Sequence, residues 1–190
     1  MAFLSEGGLA DMGVRAGRNV LVSSDARIFG GERLEIGDNV RIDAFSIIST
    51  GSTGLVRLGS HIHISAAVRI FGEGSVTLGD FTTISSGSTL YSASDDFSGR
   101  HLVGPIAPND LRSVDVQPIV LEDLAAVGAH SIVLPGVTLH QGAVLGAMSL
   151  ARESLDPWTI YAGSPCTPLR ERDRTALELS RATRERLELS

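Results

Sequence analysis

The sequence is short of cysteine, aromatic residues and positive charge. Cys166 is the single cysteine, so no disulfide forms within the chain and a reducing compartment is favoured. Aromatic residues make up 5% of the 190 positions, which disfavours a fold built on large aromatic clusters. The formal net charge is −6, which disfavours a broad basic surface for nucleic acid or for anionic membranes.

Long hydrophobic runs are also missing. No stretch approaches the roughly 18 apolar residues of a membrane-spanning helix. The first residues, MAFLSEGGLADMG, have neither the basic start nor the apolar centre of a secretion signal. We therefore expect a cytoplasmic protein that inserts into no membrane and binds no nucleic acid. Glycine is abundant, with 21 residues, which is typical of many short elements joined by tight turns.

What the sequence does contain is a repeated phrase. Within each copy apolar residues recur every six positions, as at Ile36, Ile42 and Ile48. A helix needs a spacing near 3.6, so this period fits only short strands between Gly, Asp, Asn and Ser turns. It predicts an all-β solenoid of about six coils, with three strands per coil and the aliphatic residues pointing inward. The copies are VRAGRNVLV from Val14, LEIGDNVRI from Leu34, VRLGSHIHI from Val56, VTLGDFTTI from Val76, IVLEDLAAV from Ile119 and VTLHQGAVL from Val137.

Two segments fall outside the repeat. Residues 91–118 form a long loop insertion into a domain that spans residues 1–169. Residues 170–190 are rich in strong helix formers, which predicts a short C-terminal helix that packs on the solenoid through Leu177.

The repeat and its C-terminal end together resemble a known family. An aliphatic residue followed by a small or acidic one recurs in each hexad, and the repeat ends in the turn A-G-S-P-C at Ala162–Cys166. This combination is similar to the hexapeptide-repeat acyltransferases, in particular the sugar and polysaccharide O-acetyltransferases. The resemblance implies a left-handed parallel β-helix, acetyl-CoA as co-substrate, no metal, and a homotrimer with active sites between its subunits.

The resemblance also implies where coenzyme A binds. Ala129 and Ala147 match small residues beside the pantetheine arm, and they lie 18 positions apart, the length of one coil. Arg152 and Arg170 match basic positions near the phosphates, and Glu73 matches an acid that contacts the coenzyme in sugar acetyltransferases. The exposed backbone at solenoid corners suits an extended arm that binds like an added strand.

Acyl transfer from a thioester needs a base that takes the acceptor's proton, and histidine is the usual one. Counted along the coils, the family's catalytic histidine falls on Asp95, while an acceptor-pocket tyrosine and asparagine fall on His63 and Ser65. The resemblance therefore implies that His63 is the base and that Asp95 orients it. The two residues fall on different corners, so the loop or a neighbouring subunit must bring them together.

Other residues of this region are candidate acceptor contacts. His101, carried on the insertion, is the alternative base. Tyr91, Asp96 and Arg41 are further candidates for binding the acceptor, and Arg41 occupies the column of His63 one coil earlier.

These expectations define an acetyl-CoA-dependent O-acetyltransferase whose acceptor is a sugar or a sugar-containing molecule. The alternative is N-acetylation of an amino sugar or sugar nucleotide, although many such enzymes carry an extra N-terminal domain. A carbonic anhydrase on the same prism needs three converging histidines, and no third histidine stands in a position of the adjacent coils that matches His61 and His63. A non-catalytic scaffold has no need for both the long loop and the A-G-S-P-C turn.

Overall fold

A computed structural model describes residues 2–188 of the chain, which fold into a parallel β-solenoid of six complete coils and a partial seventh. The predicted solenoid is thus confirmed. Coil by coil the strands are β1 (Arg15–Ala16), β2 (Val20–Val22) and β3 (Arg27–Phe29); β4 (Leu34–Ile36), β5 (Val40–Ile42) and β6 (Ile47–Ser49); β7 (Val56–Leu58), β8 (His63–Ile64) and β9 (Arg69–Phe71); β10 (Val76–Leu78), β11 (Thr83–Ile84) and β12 (Thr89–Tyr91).

The remaining elements follow the fourth coil. Two strands lie in the insertion. Each of the next two coils has three strands of two or three residues. Two antiparallel strands and a helix then end the chain. They are β13 (Ala93–Asp95) and β14 (Val114–Val116); β15 (Ile119–Leu121), β16 (Ala126–Val127) and β17 (Ile132–Val133); β18 (Thr138–Leu139), β19 (Val144–Leu145) and β20 (Leu150–Ala151); β21 (Thr159–Gly163), β22 (Cys166–Glu171) and α2 (Thr175–Glu188), with α1 (Glu6–Asp11) preceding the first coil.

The strands stack into three sheets, one on each face of the prism, and all coil-to-coil pairs are parallel. The first face carries β1-β4-β7-β10-β15-β18, the second β2-β5-β8-β11-β16-β19-β21, and the third β3-β6-β9-β12-β17-β20. The register is unchanged across the insertion, since Val76 pairs with Ile119 and Leu78 with Leu121.

The interior consists of the aliphatic residues that lead each hexad. Their side chains stack on those of the coils above and below, which removes them from water. Each is at most 4% exposed: Ile36, Ile42, Ile48, Leu58, Ile64, Ile70, Leu78, Ile84, Leu90, Leu121, Val127, Val133, Leu139 and Leu145.

The corners are held by side chains that bond to the coil before. Asp38, Ser60, Asp80 and Asp123 occupy one position of successive coils, and each accepts a hydrogen bond from a backbone N–H of the preceding coil at 2.7–3.0 Å. These bonds satisfy donors that the turning chain would otherwise leave unpaired. They also explain why Asp and Ser recur in the repeat.

The insertion contains structure that the sequence did not predict. Strands β13 and β14 form an antiparallel pair that leaves the corner after β12 and returns to β15, and we call residues 93–116 the hairpin. The expected C-terminal helix begins later than position 170, because residues Cys166–Glu171 form β22, antiparallel to β21. Residues 189 and 190 of the predicted segment lie outside the described residues.

Helix α2 is tied to one corner of the solenoid by arginines. Arg184 lies 2.8 Å from the Asp80 carboxylate, and Arg172 donates to the carbonyls of Leu124 and Gly142 at 2.7 and 3.0 Å. Leu177, the expected packing residue, is half-buried. Neither helix described by the structure is long and apolar enough to cross a bilayer.

The stacked interior gives a direct prediction for stability. Leu90 is fully buried in the fourth coil, so Leu90→Ala should lower the free energy of unfolding by about 2–5 kcal/mol, the usual cost of a core cavity. Urea denaturation at fixed protein concentration measures the change. Thr77→Ala, at an exposed position of β10, is the control, and equal midpoints for the two variants would contradict the described packing.

Candidate active site

His63 lies on the second face, in a column that runs from coil to coil. Parallel pairing sets Arg41, His63 and Thr83 side by side on β5, β8 and β11. Asp43 follows β5 by one residue and faces the same side as Arg41, because alternate residues of a strand share a face. Its Oδ2 lies 2.8 Å from Nε2 of His63, and its Oδ1 lies 2.7 Å from Nε of Arg41.

These two contacts affect the pKa of the Asp43 carboxyl. Burial acts to raise its pKa, but the hydrogen bonds from His63 and Arg41 outweigh burial, so the pKa lies below its ordinary value. The Asp43 side chain is 12% exposed, whereas that of His63 is 45% exposed. When Nε2 donates to Asp43, Nδ1 of His63 keeps its lone pair, and the ring is fixed by a buried carboxylate.

The structure pairs His63 with Asp43 rather than with Asp95. Asp95 ends β13, beyond the corner that follows the third face, whereas His63 lies on the second face. A solenoid holds its faces apart by filling the space between them with packed side chains. Within one chain the expected contact between His63 and Asp95 therefore does not form.

Asp95 is instead anchored inside the hairpin. Its Oδ1 lies 3.2 Å from Nη2 of Arg112, and its Oδ2 accepts the backbone N–H of Gly104 at 3.2 Å. The Asp95 and Arg112 side chains are 20% and 18% exposed, and Nε of Arg112 is buried without a partner among the described residues. Each carboxylate oxygen has two acceptor sites, so Asp95 can accept further hydrogen bonds.

A second histidine–aspartate pair lies next to it. Nδ1 of His101 is 2.8 Å from Oδ2 of Asp96, and Asp96 also accepts the backbone N–H and the hydroxyl of Ser98, each at 2.8 Å. The His101 bond, followed by those from Ser98, lowers the pKa of the Asp96 carboxyl to about 2. This cluster closes the turn of the hairpin and presents Nε2 of the alternative base, His101.

The Asp96 cluster predicts a pH effect with a definite sign. A folded pKa of about 2 lies below the unfolded value, so the interaction stabilises the hairpin above about pH 4 and is lost as the pH falls toward 2. At pH 3 we expect about one-tenth of the Asp96 carboxyl to be protonated. In His101→Ala the protonated fraction at pH 3 should be larger, although the Ser98 bonds still lower the pKa, as measured by ¹³C NMR of labelled aspartate. His130→Ala is the control. If His101→Ala gave the same signal as the parent and the control, the hydrogen bond from His101 would not be the cause of the lowered pKa.

Tyr91 and Ser65 lie at two different corners. Tyr91 ends β12, is 37% exposed and stacks on Phe71 with ring centroids 5.3 Å apart. Ser65 follows β8, and its backbone N–H donates to Ile84. It therefore shares a corner column with Asp43 and Ser85, beside His63.

The residues expected to bind coenzyme A occupy the later coils. Ala129 and Ala147 stack at one corner, where Met148 donates its N–H to the carbonyl of Ala129 at 2.8 Å. Arg152 lines a pocket of about 400 Å³ near the C-terminal turn, and Arg170 lies exposed on β22. These four residues belong to the C-terminal half of the prism.

Glu73 lies apart from them, in the turn after β9. Its carboxylate accepts the N–H and hydroxyl of Ser52 at 2.8 and 2.6 Å, and the hydroxyl of Thr53 at 3.3 Å. The Ser52 bonds lower the pKa of the Glu73 carboxyl. Its oxygens are thus engaged by the turn of the preceding coil.

Sequence reasoning missed Asp43 and Arg112. Asp43 was recognisable, because it sits two positions after Arg41 and Arg41 was already placed in the column of His63. Arg112 carries no such signal, since its contact with Asp95 depends on the pairing of β13 with β14. Residues 2–188 hold no group of three or more His, Cys, Asp or Glu side chains that could bind a metal ion.

Comparison with known proteins adds two full-length relatives. No family model matches the chain. It is 37% identical over 180 residues to the dTDP-4-amino-4,6-dideoxy-D-glucose acyltransferase of Escherichia coli, covering 94% of this chain and 93% of that protein. AntD, an N-acyltransferase from Bacillus cereus, was solved with dTDP and 3-hydroxybutyryl-CoA. It is 39% identical with a TM-score of 0.93, over 98% of each chain.

Further structures extend the comparison. AntD was also solved with replacements of one aspartate, and of one serine ten positions before it. A hexapeptide-repeat-containing acetyltransferase from Vibrio cholerae, solved with acetyl coenzyme A, has a TM-score of 0.59 and 20% identity, over 88% of this chain and 75% of that chain. The latter similarity concerns the fold alone.

Proposed function

Because this chain belongs to the hexapeptide-repeat sugar acyltransferases, we propose that it transfers an acyl group from an acyl-CoA to the amino group of a nucleoside-diphosphate amino sugar. The single observation that carries the proposal is the extent of the likeness to AntD, which spans 98% of each chain at 39% identity. Since the likeness includes the hairpin that interrupts the solenoid, it extends beyond the repeat that the whole family shares.

An amino acceptor replaces the hydroxyl that we expected first. The Escherichia coli and Bacillus cereus relatives support N-acylation, the alternative, better than O-acetylation. An extra N-terminal domain does not distinguish N-acylation from O-acetylation, because this chain matches 93% of the Escherichia coli N-acyl relative.

The chemistry of the site also favours an amine. A sugar hydroxyl needs a strong base at the moment of attack, whereas a neutral amine is itself the nucleophile and releases its proton after the bond has begun to form. The hairpin carries Asp95 where O-acetyltransferases are expected to carry a histidine. A carboxylate is a weak base toward a hydroxyl, but it can hold an amino group by a charge-assisted hydrogen bond.

The residues then have separate roles in direct acyl transfer. The amine nitrogen attacks the thioester carbonyl, the C–N bond forms as the C–S bond breaks, and the products are an amide and free coenzyme A. Nδ1 of His63 takes the proton that the nitrogen loses and returns it to the departing sulfur. Asp43 orients the ring and stabilises the imidazolium, and Asp95 holds the amino group.

The AntD variants support a role for the hairpin acid. Their aspartate and serine are ten positions apart, as are Ser85 and Asp95 of this chain. Ser85 lies in the corner column of Asp43 and Ser65, next to His63, whereas Asp95 lies on the hairpin. If Ser85 and Asp95 act on the same substrate molecule, two copies of the chain must contribute to one site.

We accordingly propose a homotrimer in which the hairpin of one subunit reaches the second face of its neighbour. Closed rings are the usual outcome of such head-to-tail contacts. Coenzyme A would bind along Ala129 and Ala147, with Arg152 and Arg170 near its phosphates. The acyl group remains open between acetyl, our first expectation, and a longer hydroxyacyl group. We place the reaction in the cytoplasm, where acyl-CoA is made.

An acceptor panel tests the proposed function. Release of the coenzyme A thiol is measured with acetyl-CoA or 3-hydroxybutyryl-CoA as donor. The acceptors are dTDP-4-amino-4,6-dideoxyglucose, its 4-hydroxy counterpart, and free amino sugars. We expect the amino sugar nucleotide to give a kcat/KM at least about 100-fold above that of the 4-hydroxy counterpart. Faster turnover of the hydroxy compound would restore O-acetylation, and turnover of free amino sugars alone would exclude a nucleotide requirement.

A further inference from the structure

Arg41 lies one coil before His63 on the second face, and the same carboxylate joins the two side chains. The sequence placed Arg41 among the candidate acceptor contacts. In the structure its Nε donates to Oδ1 of Asp43 at 2.7 Å, while Oδ2 of Asp43 lies 2.8 Å from Nε2 of His63. In residues 2–188 the Asp43 side chain has these two partners and no other.

The contact with Arg41 limits how the Asp43 carboxylate can turn. The torsion that joins an aspartate carboxylate to its Cβ is broad, with no sharply preferred angle. A hydrogen bond at one oxygen alone leaves the group free to rotate, whereas bonds at both oxygens fix its plane. Arg41 therefore fixes the plane in which Asp43 presents Oδ2 to His63.

Arg41 also keeps the Asp43 carboxyl ionised. Burial acts to raise the pKa of this carboxyl, and the hydrogen bonds from His63 and Arg41 together bring it below its ordinary value. A neutral His63 brings no full charge to this balance, whereas an arginine stays protonated at any working pH. Asp43 thus keeps its charge while His63 is neutral and ready to accept a proton.

The N-terminal segment holds Arg41 from the other side. Residues 2–4 run antiparallel along β2, the first strand of the second face, and Leu4 donates its N–H to the carbonyl of Val22 at 2.8 Å. This pairing brings the ring of Phe3 to Arg41, whose guanidinium carbon lies 5.8 Å from the ring centroid. A guanidinium at this distance is attracted to the face of an aromatic ring.

We propose that Arg41 is a positioning residue of the site: it fixes the Asp43 carboxylate that orients His63, and the ring of Phe3 holds Arg41 in place. This inference rests on the proposed function. Arg41 acts through Asp43 and does not bind the acceptor itself. The N-terminal segment thereby becomes part of the support of the active site.

A double-mutant cycle tests whether Arg41 acts through Asp43. Thiol release with dTDP-4-amino-4,6-dideoxyglucose and acyl-CoA is measured. Arg41→Gln should lower kcat by about 5-fold and change the KM of the acceptor by less than about 2-fold. In the Asp43→Asn background the same change should cost nothing further, because the group through which Arg41 acts is gone. Arg41→Lys retains a positive charge and should recover most of the loss.

Arg57→Gln is the matched control. Nε of Arg57 donates to Glu35 at 2.8 Å, and the Arg57 side chain is 58% exposed against 50% for Arg41. This pair lies on the first face, whose strands contain no histidine, so Arg57→Gln should keep parental kcat. Phe3→Leu should lower kcat by about 2-fold, because it removes the ring but keeps an apolar side chain, whereas Phe3→Tyr should not.

Proton NMR of the resting full-length protein tests the same contact without turnover. The Nε2 proton of a histidine that donates to a carboxylate resonates far downfield and exchanges slowly with water. We expect this signal in the parent, where its loss in His63→Ala identifies it. Arg41→Gln should broaden it beyond detection, because the carboxylate is no longer fixed, whereas Arg57→Gln should retain it.

The outcomes separate this inference from the proposed function. A further 5-fold loss from Arg41→Gln in the Asp43→Asn background, or an unchanged Nε2 signal in Arg41→Gln, would overturn the inference and leave the acyl transfer standing. An acceptor KM raised about 10-fold at parental kcat would make Arg41 an acceptor contact and overturn it as well. A parent that acylates no amino sugar overturns the proposed function, and the Nε2 signal still decides whether Arg41 fixes Asp43 and His63.

Discussion

Asp95→Asn should lower kcat for the amino sugar nucleotide by about 100-fold or more, with a much smaller change in KM. Asparagine keeps the shape of the side chain and a bond to the Gly104 N–H, but it loses the charge that holds the amino group in the transition state. Thiol release with dTDP-4-amino-4,6-dideoxyglucose and acyl-CoA measures the effect. Asp115→Asn, on the neighbouring strand β14, is the control and should keep near-parental turnover.

A second variant separates this role from a purely structural one. Arg112→Gln breaks the ion pair that anchors Asp95 but leaves the carboxylate in place. If Asp95 acts on the substrate, Arg112→Gln should lower kcat by about 10-fold, a much smaller loss than that of Asp95→Asn. Equal losses in both variants, with equal loss of hairpin protection in hydrogen exchange, would reduce Asp95 to an anchor of the hairpin.

His63→Ala should lower kcat by about 100-fold, since it removes the group that takes the proton from the nitrogen. Asp43→Asn should lower kcat less, by about 10-fold. The imidazole of His63 remains, but a buried charge no longer orients it or stabilises its protonated form. The pH dependence of kcat distinguishes the two, because His63→Ala removes the proposed base whereas Asp43→Asn keeps it. Near-parental turnover in His63→Ala together with loss in His101→Ala would move the base to the hairpin.

Because His63 lies on the second face and Asp95 on the hairpin, the His63→Ala and Asp95→Asn variants together test the assembly. A site shared between subunits predicts that inactive His63→Ala and Asp95→Asn proteins, unfolded together and refolded as a mixture, regain about a quarter of parental activity. Each site then draws its two residues from independently mixed chains. A mixture as inactive as its components would place both residues in one chain's site, against the described geometry.

The solenoid was predictable because one physical rule is repeated along the chain. An aliphatic residue every six positions must be buried, and only stacked short strands bury all of them, so the register of Ile42 with Ile64 follows from the sequence alone. The exceptions are segments without that rule. Strands β13 and β14 pair antiparallel in the insertion, and β22 pairs back on β21, in both cases without a hexad of their own.

The site was predictable in part for the same reason. Coil counting placed Arg41 beside His63, which the register confirms. It did not find Asp43, because the contact depends on a side chain that follows the strand by one residue and reaches diagonally to the next coil. It also related Asp95 to His63 but left open whether the loop or a neighbouring subunit brings them together, because counting positions relates residues to coils and does not measure the distance between them.

The hairpin leaves and rejoins the prism without any change in the pairing of Val76 with Ile119. The prism therefore tolerates variation in this segment almost freely: doubling the length of a flexible connection costs only about 0.6 kcal/mol in closure entropy. Descendants of such a gene can exchange the segment that we propose meets the acceptor while inheriting the coils that we propose bind the donor. New acceptor specificities can arise by replacing one excursion, with the stability of the rest left intact.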